Sequence, residues 1–308
     1  FSIDFIDNPK HQVIPLEPIR SSELACYNCI FHAIKESDRL LNYPYESFEE
    51  IIRFANEASE HPDVKEIKIT LYRVSKDSAI AKALLRALKN GKVVTVFIET
   101  KARFDESNNI YWGEKLNDAG ANVIYSYPGI KVHSKIMHIK AEHNNIPQEY
   151  AYIGTGNFNE KTSKIYTDYG LLTADKSINK EIKQVFKLLL RKIIVPKLKK
   201  LLVSPFTTRR IISKLIGKEI KNANKGKKAY LIFKMNSLQD EEIITKLYQA
   251  SNAGVKIKLL VRGICCLIPG VKGMSKNIEV ISVVDRFLEH GRIYIFANNG
   301  KEKMYMGS

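Results

Sequence analysis

Two short words far apart in the chain share a chemical pattern: His133-Ser134-Lys135 in "GIKVHSKIM" and His290-Gly291-Arg292 in "EHGRIYIF". Each puts an imidazole two positions before a cation. On a β-strand, residues i and i+2 point to the same face, so each word predicts a histidine beside a fixed positive charge. A neutral imidazole can attack phosphorus, hold it as a phosphoramidate and hand it on, which divides a hard transfer into two easier ones. A second imidazole could then shuttle protons. Taken alone, His133 could as well be a structural histidine on a half-exposed strand.

Further basic residues fall where strands are expected to end: Arg73 in "TLYRVSKDS", Arg103 in "TKARFDE" and Arg262 in "LVRGICC", with Lys135 and Arg292 beside the histidines. Open α/β sheets place ligands at such ends, and a guanidinium fork can grip two phosphate oxygens at once. Phosphoryl transfer asks a protein mainly for positioning and positive charge. The bland alternatives stand beside this: each of Arg73, Arg103 and Arg262 could be a surface ion-pair partner. His138 and His143 have no counterpart near His290 and read as ordinary. Gly154-Thr155-Gly156-Asn157 could be a simple turn. No G-x-x-x-x-G-K-[ST] loop and no kinase catalytic-loop motif is present, so any ATP must bind differently.

The elements that would carry these residues follow from periodicity. Ser47 and Glu50 have capping-box spacing and open a helix through about residue 58. Then come a strand over 64–72, a helix over 78–90 closed by Gly91, a strand over 92–98, a helix over 106–118, a strand over 121–126 and the histidine strand from 129. Repeated βα units of this length predict an α/β fold with a mixed, mostly parallel sheet flanked by helices. The chain then reads as helical and strongly basic over 177–225, the expected junction. Lys199, Lys200, Arg209 and Arg210 there could hold a polyanion or form a solvated face. After the junction the first pattern returns: "ITLYRVSKDSAIAKALLRALKNGKVVTVFIETKARF" resembles "LIFKMNSLQDEEIITKLYQASNAGVKIKLLVRGICCL", with Gly91 and Gly254 in matching places. A duplicated unit with one histidine per copy can face itself across a pseudo-two-fold and share one site.

The chain has 308 residues, enough for two cores, with 49 basic against 33 acidic residues and a net charge of +16. So basic a surface attracts polyanions: nucleic acid, anionic lipid or phosphate polymers. No run is long and apolar enough for a membrane span, and nothing resembles a secretory leader. Cys26, Cys29, Cys265 and Cys266 are expected as buried free thiols in a reducing compartment rather than a metal site. The reading is a soluble cytoplasmic protein, with peripheral contact at the inner membrane face the most that its charge suggests. Both ends of the sequence look cut, as in a fragment.

At the residues above, the sequence resembles the C-terminal half of the long-chain bacterial polyphosphate kinases. The words that carry this are "TLYRVSKDS", "VTVFIETKARFDE", "GIKVHSK", "YIGTGNFNEKTSKIYTDYGLLTAD", "KMNSLQDEEII", "GVKIKLLVRGICCLIPG" and "VISVVDRFLEHGRIYIF". The resemblance implies two tandem phospholipase D-like domains: a connector over 1–37, a first catalytic domain over 38–203 and a second, incomplete one over 204–308. It implies reversible synthesis of inorganic polyphosphate from ATP, with Mg²⁺, through a phosphohistidine on His133. His290 becomes the second catalytic histidine and a nucleotide contact. Tyr166 and Arg262 match nucleotide-contacting positions, and Lys135 and Arg292 are expected on phosphates. Arg73 and Arg103 match the family's phosphate and Mg²⁺ site; an arginine cannot ligate a cation, so they are expected to grip phosphates that the metal bridges. The implied partners are polyphosphate, ATP or ADP and a homo-oligomer in the full-length protein, with no specific nucleic acid.

One departure separates the chain from the wider phospholipase D superfamily, whose H-x-K is followed, after four intervening residues, by aspartate. Those places are Lys140 and Ala297. The expectation is therefore that neither histidine has an orienting aspartate. The competing readings are a phospholipase D-like nuclease or lipid hydrolase and a non-catalytic polyanion-binding module.

Overall fold

A computed structural model describes residues 15–100, 106–126 and 131–308. After the short helices α1 (Ser22–Ala25) and α2 (Ile30–Glu36), the chain runs through β1 (Arg39–Tyr43), α3 (Glu49–Glu60), β2 (Val64–Leu71), α4 (Ala79–Lys89), β3 (Val93–Ile98), α5 (Glu106–Asp118) and β4 (Asn122–Tyr125). The strands β5 (Lys135–His143), β6 (Ile146–Gly154) and β7 (Tyr166–Thr173) follow, then α6 (Lys176–Leu189) and α7 (Thr208–Ala223). The second half comprises β8 (Tyr230–Met235), α8 (Glu241–Asn252), β9 (Lys256–Val261), β10 (Ile278–Ile281), β11 (Leu288–Glu289), β12 (Arg292–Phe296) and β13 (Lys303–Gly307).

The expected repeat is visible as topology. The first sheet has the order β1-β7-β6-β5-β2-β3-β4 and the second β10-β9-β8-β12-β13, so β4-β3-β2-β5-β6 and β10-β9-β8-β12-β13 are the same arrangement. In each copy three parallel strands lie side by side, joined by α4 and α5 in the first and by α8 and then a helix-free loop over 262–277 in the second, and hairpin-type antiparallel strands are added on one side. The α/β class therefore holds with two helix-flanked sheets. Within the first sheet, however, parallel pairing is concentrated in β2, β3 and β4, since β5, β6 and β7 pair antiparallel in chain order, β5 and β6 through the tight turn at Asn144 and Asn145.

Capping repeats too. Ser78 accepts a hydrogen bond from the Ala81 amide at the start of α4, and Asp240 accepts one from Ile243 at the start of α8. Both helices end before a glycine in the left-handed region, Gly91 at φ +73° and Gly254 at φ +89°. The strand β3, "VVTVFI", is flanked in parallel by β2 and β4 and is buried on both faces from Val94 onward, as a parallel strand between helix layers must be. The first core gathers residues such as Phe54, Ile69, Leu84, Val96 and Met137; the second gathers Ile216, Phe233, Leu247, Leu259 and Phe296. Leu24, Ile30, Phe31 and Ile34 lie in the first core, so part of the segment expected as a connector is packed there.

Three local expectations change. Residues 190–207 interrupt the expected helical junction; Pro196 and Pro205 lie within this stretch. The cysteines are free thiols but none is buried: Cys26 and Cys266 are exposed and the other two partly so. His133 and His290 lie just before strands rather than on them. No helix among the described residues is long and apolar enough to cross a membrane.

Candidate active site

His133 and His290 occupy equivalent places, each two residues before a strand rather than within it: β5 begins at Lys135 and β12 at Arg292. The i, i+2 argument therefore gives way to a different link. The Lys135 ammonium turns back and donates to the His133 carbonyl at 2.5 Å, and Arg292 Nη1 donates to the His290 carbonyl at 2.5 Å. Each cation ties down the backbone of the histidine before it.

The His133 loop is stitched from both sides. Glu99, directly after β3 and 1% exposed, accepts from the Val132 amide at 2.8 Å and from the Ser126 hydroxyl at 2.8 Å. Thr70 in β2 donates to the Ser134 carbonyl at 2.7 Å and accepts from the Ile136 amide at 3.1 Å. The His133 ring stands edge-on to Tyr72, centroids 4.7 Å apart. Tyr72 is also the aromatic floor for Lys135, Lys131 and Arg73, whose charges lie 4.7, 5.3 and 6.0 Å from its centroid. From the second half, the Ser308 hydroxyl donates to the His133 carbonyl at 2.9 Å and lies 3.3 Å from Nδ1.

Burial first, and then the positive charges of Lys135, Arg292, His290 and Lys131, lower the His133 pKa to about 3. Two of those charges come from the other half of the chain. The ring is thus held neutral with a lone pair available near pH 7. Lys135 is 1% exposed, and burial with the fields of Arg292, Arg73 and Lys131 pushes it well below the ordinary lysine range, with Asp168 opposing.

His290 is held by the first half. Asp168 in β7 is 2% exposed, and its carboxylate oxygens lie 2.8 and 3.0 Å from His290 Nδ1. The absent aspartates at Lys140 and Ala297 are therefore made good for this histidine by a residue from the opposite unit, which corrects the expectation that neither ring has one. A proton on Nδ1 directed at the carboxylate leaves Nε2 as the working nitrogen. Burial lowers the His290 pKa, while the hydrogen bond and charge of Asp168 act the other way. The main chain joins in: β11 pairs in parallel with β7, Leu288 opposite Tyr166 and Glu289 opposite Thr167, and the His290 amide donates to the Thr167 hydroxyl at 3.2 Å.

Asp168 has its own clamp. The Thr155 hydroxyl donates to it at 2.5 Å, and at Gly156 a Cβ would stand 2.5 Å from the carboxylate Oδ2. The "GTGN" word left open as a turn thus supports Asp168. Sequence reading also passed over Asp168 itself, although "KIYTDYG" put it two residues after Tyr166, on the same strand face. Tyr166 packs against the His290 ring at 5.1 Å. Glu99 and Tyr72 carried no signal beyond their place at strand ends.

Of the remaining expected site residues, Arg262 follows β9 and donates through Nη1 to the Glu289 carbonyl at 2.9 Å. Arg73 lies beside Tyr72 and Lys135. Arg103 falls outside the described residues. His138 and His143 are elsewhere: His143 pairs with Asp63 at 2.7 Å at the surface, and His138 is buried 3.9 Å from Glu149. In the basic junction Lys200 pairs with Asp175 at 3.0 Å and Arg209 with Asp240 at 2.6 Å, so those charges are engaged by neighbours.

The donor set does not fit a magnesium ion held by the protein. Its charged groups are mostly arginine and lysine, which have no lone pair to offer, and Asp168 is committed to His290 and Thr155. Among the described residues no cluster of three or more His, Cys, Asp or Glu side chains could hold a metal.

The sequence model described as "Polyphosphate kinase C-terminal domain 1" matches residues 29–194, and "Polyphosphate kinase C-terminal domain 2" matches residues 201–308. The chain belongs to the polyphosphate kinase family. It is 48% identical to the polyphosphate kinase of Vibrio parahaemolyticus over 294 residues, 96% of this chain and 42% of that protein. It is 47% identical to that of Escherichia coli K12 over 278 residues, 90% of this chain and 40% of that protein. The chain thus spans less than half the length of these polyphosphate kinases. The crystal structure of polyphosphate kinase from Porphyromonas gingivalis superposes with a TM-score of 0.88 at 41% identity, over 97% of this chain and 49% of that one. A phosphatidylserine synthase structure from Haemophilus influenzae shares the fold alone, with a TM-score of 0.54 at 11% identity over 84% of this chain and 77% of that one.

Proposed function

We propose that this chain carries the catalytic site of a polyphosphate kinase, with ATP as phosphoryl donor and inorganic polyphosphate as acceptor. The observation that carries this reading is a neutral imidazole, His133, set among cations contributed by both halves of the chain and within the field of a second histidine. Nδ1 of His133 lies against Ser308, so Nε2 is the nitrogen that attacks the γ-phosphorus. The N–P bond forms as the bond to the β,γ-bridging oxygen breaks, and ADP leaves with that electron pair. A terminal oxygen of polyphosphate then attacks the phosphorus, and His133 departs as neutral imidazole with the chain longer by one unit.

Lys135, Arg73 and Arg292, with Arg103, stabilise charge on the transferring group. Arg262 and Tyr166 bind the nucleotide. His290, oriented by Asp168, takes the proton from an attacking phosphate oxygen or gives one to the leaving oxygen. Magnesium belongs to the same proposal as an ion carried on the phosphates, and no step depends on it. Homo-oligomerisation of the full-length protein and a cytoplasmic setting, with peripheral membrane contact, complete the reading.

Incubation of the full-length protein with γ-labelled ATP tests it. The expected product is an acid-labile, base-stable label on His133 that chases into polyphosphate and is abolished in His133→Ala. Release of a nucleotide or lipid head group without label would favour a hydrolase, and persistent label in His133→Ala would refute the assignment.

A further inference from the structure

Asn236 stands between two of the arginines. It directly follows β8, Arg262 directly follows β9 and Arg292 opens β12; because β9, β8 and β12 are sheet neighbours, the three side chains emerge at one end. With guanidinium donors on one side of the amide, its oxygen must face them. It then accepts from Arg292 Nη2 at 2.5 Å and from Arg262 Nη2 at 3.2 Å. The same guanidiniums donate through Nη1 to successive carbonyls, Arg262 to Glu289 and Arg292 to His290. Two like charges are therefore fixed side by side, each by one carbonyl and by one shared amide.

All these acceptors are uncharged. A carboxylate at 236 would hold the pair more strongly but would cancel the charge that an anion needs. An amide orients both forks and leaves their charge uncancelled. Arg292 holds the carbonyl of His290 and Arg262 that of Glu289 just before it, so the oriented pair lies against the second histidine of the site. We propose that Asn236 is a positioning residue that locks Arg262 and Arg292 into one two-pronged grip for condensed phosphate. The inference deepens the kinase reading and rests on phosphate occupying this pocket, but it does not need turnover.

Calorimetric binding of tripolyphosphate to this chain tests it, with Asn236→Leu and Asn236→Asp compared against the unchanged protein. The leucine variant keeps the charge and loses the shared acceptor; the aspartate variant keeps the acceptor and cancels charge. Both are expected to bind tripolyphosphate about tenfold more weakly, and the aspartate variant to melt at the same or a higher temperature. Binding of the leucine variant within twofold of the unchanged chain would overturn the inference, because charge alone would then suffice. An aspartate variant that loses thermal stability along with binding would overturn it as well, assigning Asn236 to fold support. Should the leucine variant fail to fold, the aspartate result decides. Failure of the kinase reading shows differently, as an unchanged chain that binds tripolyphosphate while the full-length protein forms no phosphohistidine.

Discussion

A histidine serves as a nucleophile only while one ring nitrogen keeps its lone pair. His133 secures this by burial among cations, whereas His290 is coupled to Asp168. The two rings are thus tuned for different work. Removing a neighbouring cation, as in Lys131→Met, should raise the His133 pKa from about 3 toward the ordinary ~6.5, read by NMR titration of the ring. An unchanged or lower value would contradict the field assigned to Lys131. Asp168→Asn should lower kcat about 10²- to 10⁴-fold, because the amide can donate where the ring must, favouring the wrong tautomer. It should also lower the His290 pKa further, since the lost charge was raising it. A variant with unaltered kcat would remove Asp168 from the mechanism.

At the scale of elements, strands and helices were legible because their signals are local. Alternation, caps and Gly91 locate β2 through β4 to within a few residues, and the matching word from Leu231 with Gly254 marks the helix and apolar strand that became α8 and β9. The repeat was legible for the same reason, as matching words that became matching strand orders. Asp168 was missed because the superseding partner of His290 lies 122 positions earlier, where no spacing rule reaches. The start of β5 was misjudged because "IKVHSK" is apolar enough to read as strand, while the ties from Glu99 and Thr70 that hold it as a loop are tertiary. Gly156→Ala tests the support of Asp168. A methyl 2.5 Å from the carboxylate must displace it, and we expect a loss of about 1–3 kcal/mol in chemical denaturation together with reduced kcat. Full stability and activity would mean that the loop yields without disturbing Asp168.

For the whole molecule, His133, His138 and His290 all have native pKa values below the ordinary ~6.5, His133 about 3 and His138 about 4. Below pH ~6.5 the unfolded chain takes up protons that the native one resists, so stability should fall as the pH drops from ~6.5 toward about 3. Urea midpoints across that range check it; a flat profile would show that these rings are not shielded.

The bond from Asp168 to His290 has one more effect. It makes the two lobes each other's cofactor: neither alone sets the second imidazole, and any ligand that touched both would act as a clasp. By thermodynamic reciprocity, whatever drives the lobes together must tighten the hold on that ligand by the same factor.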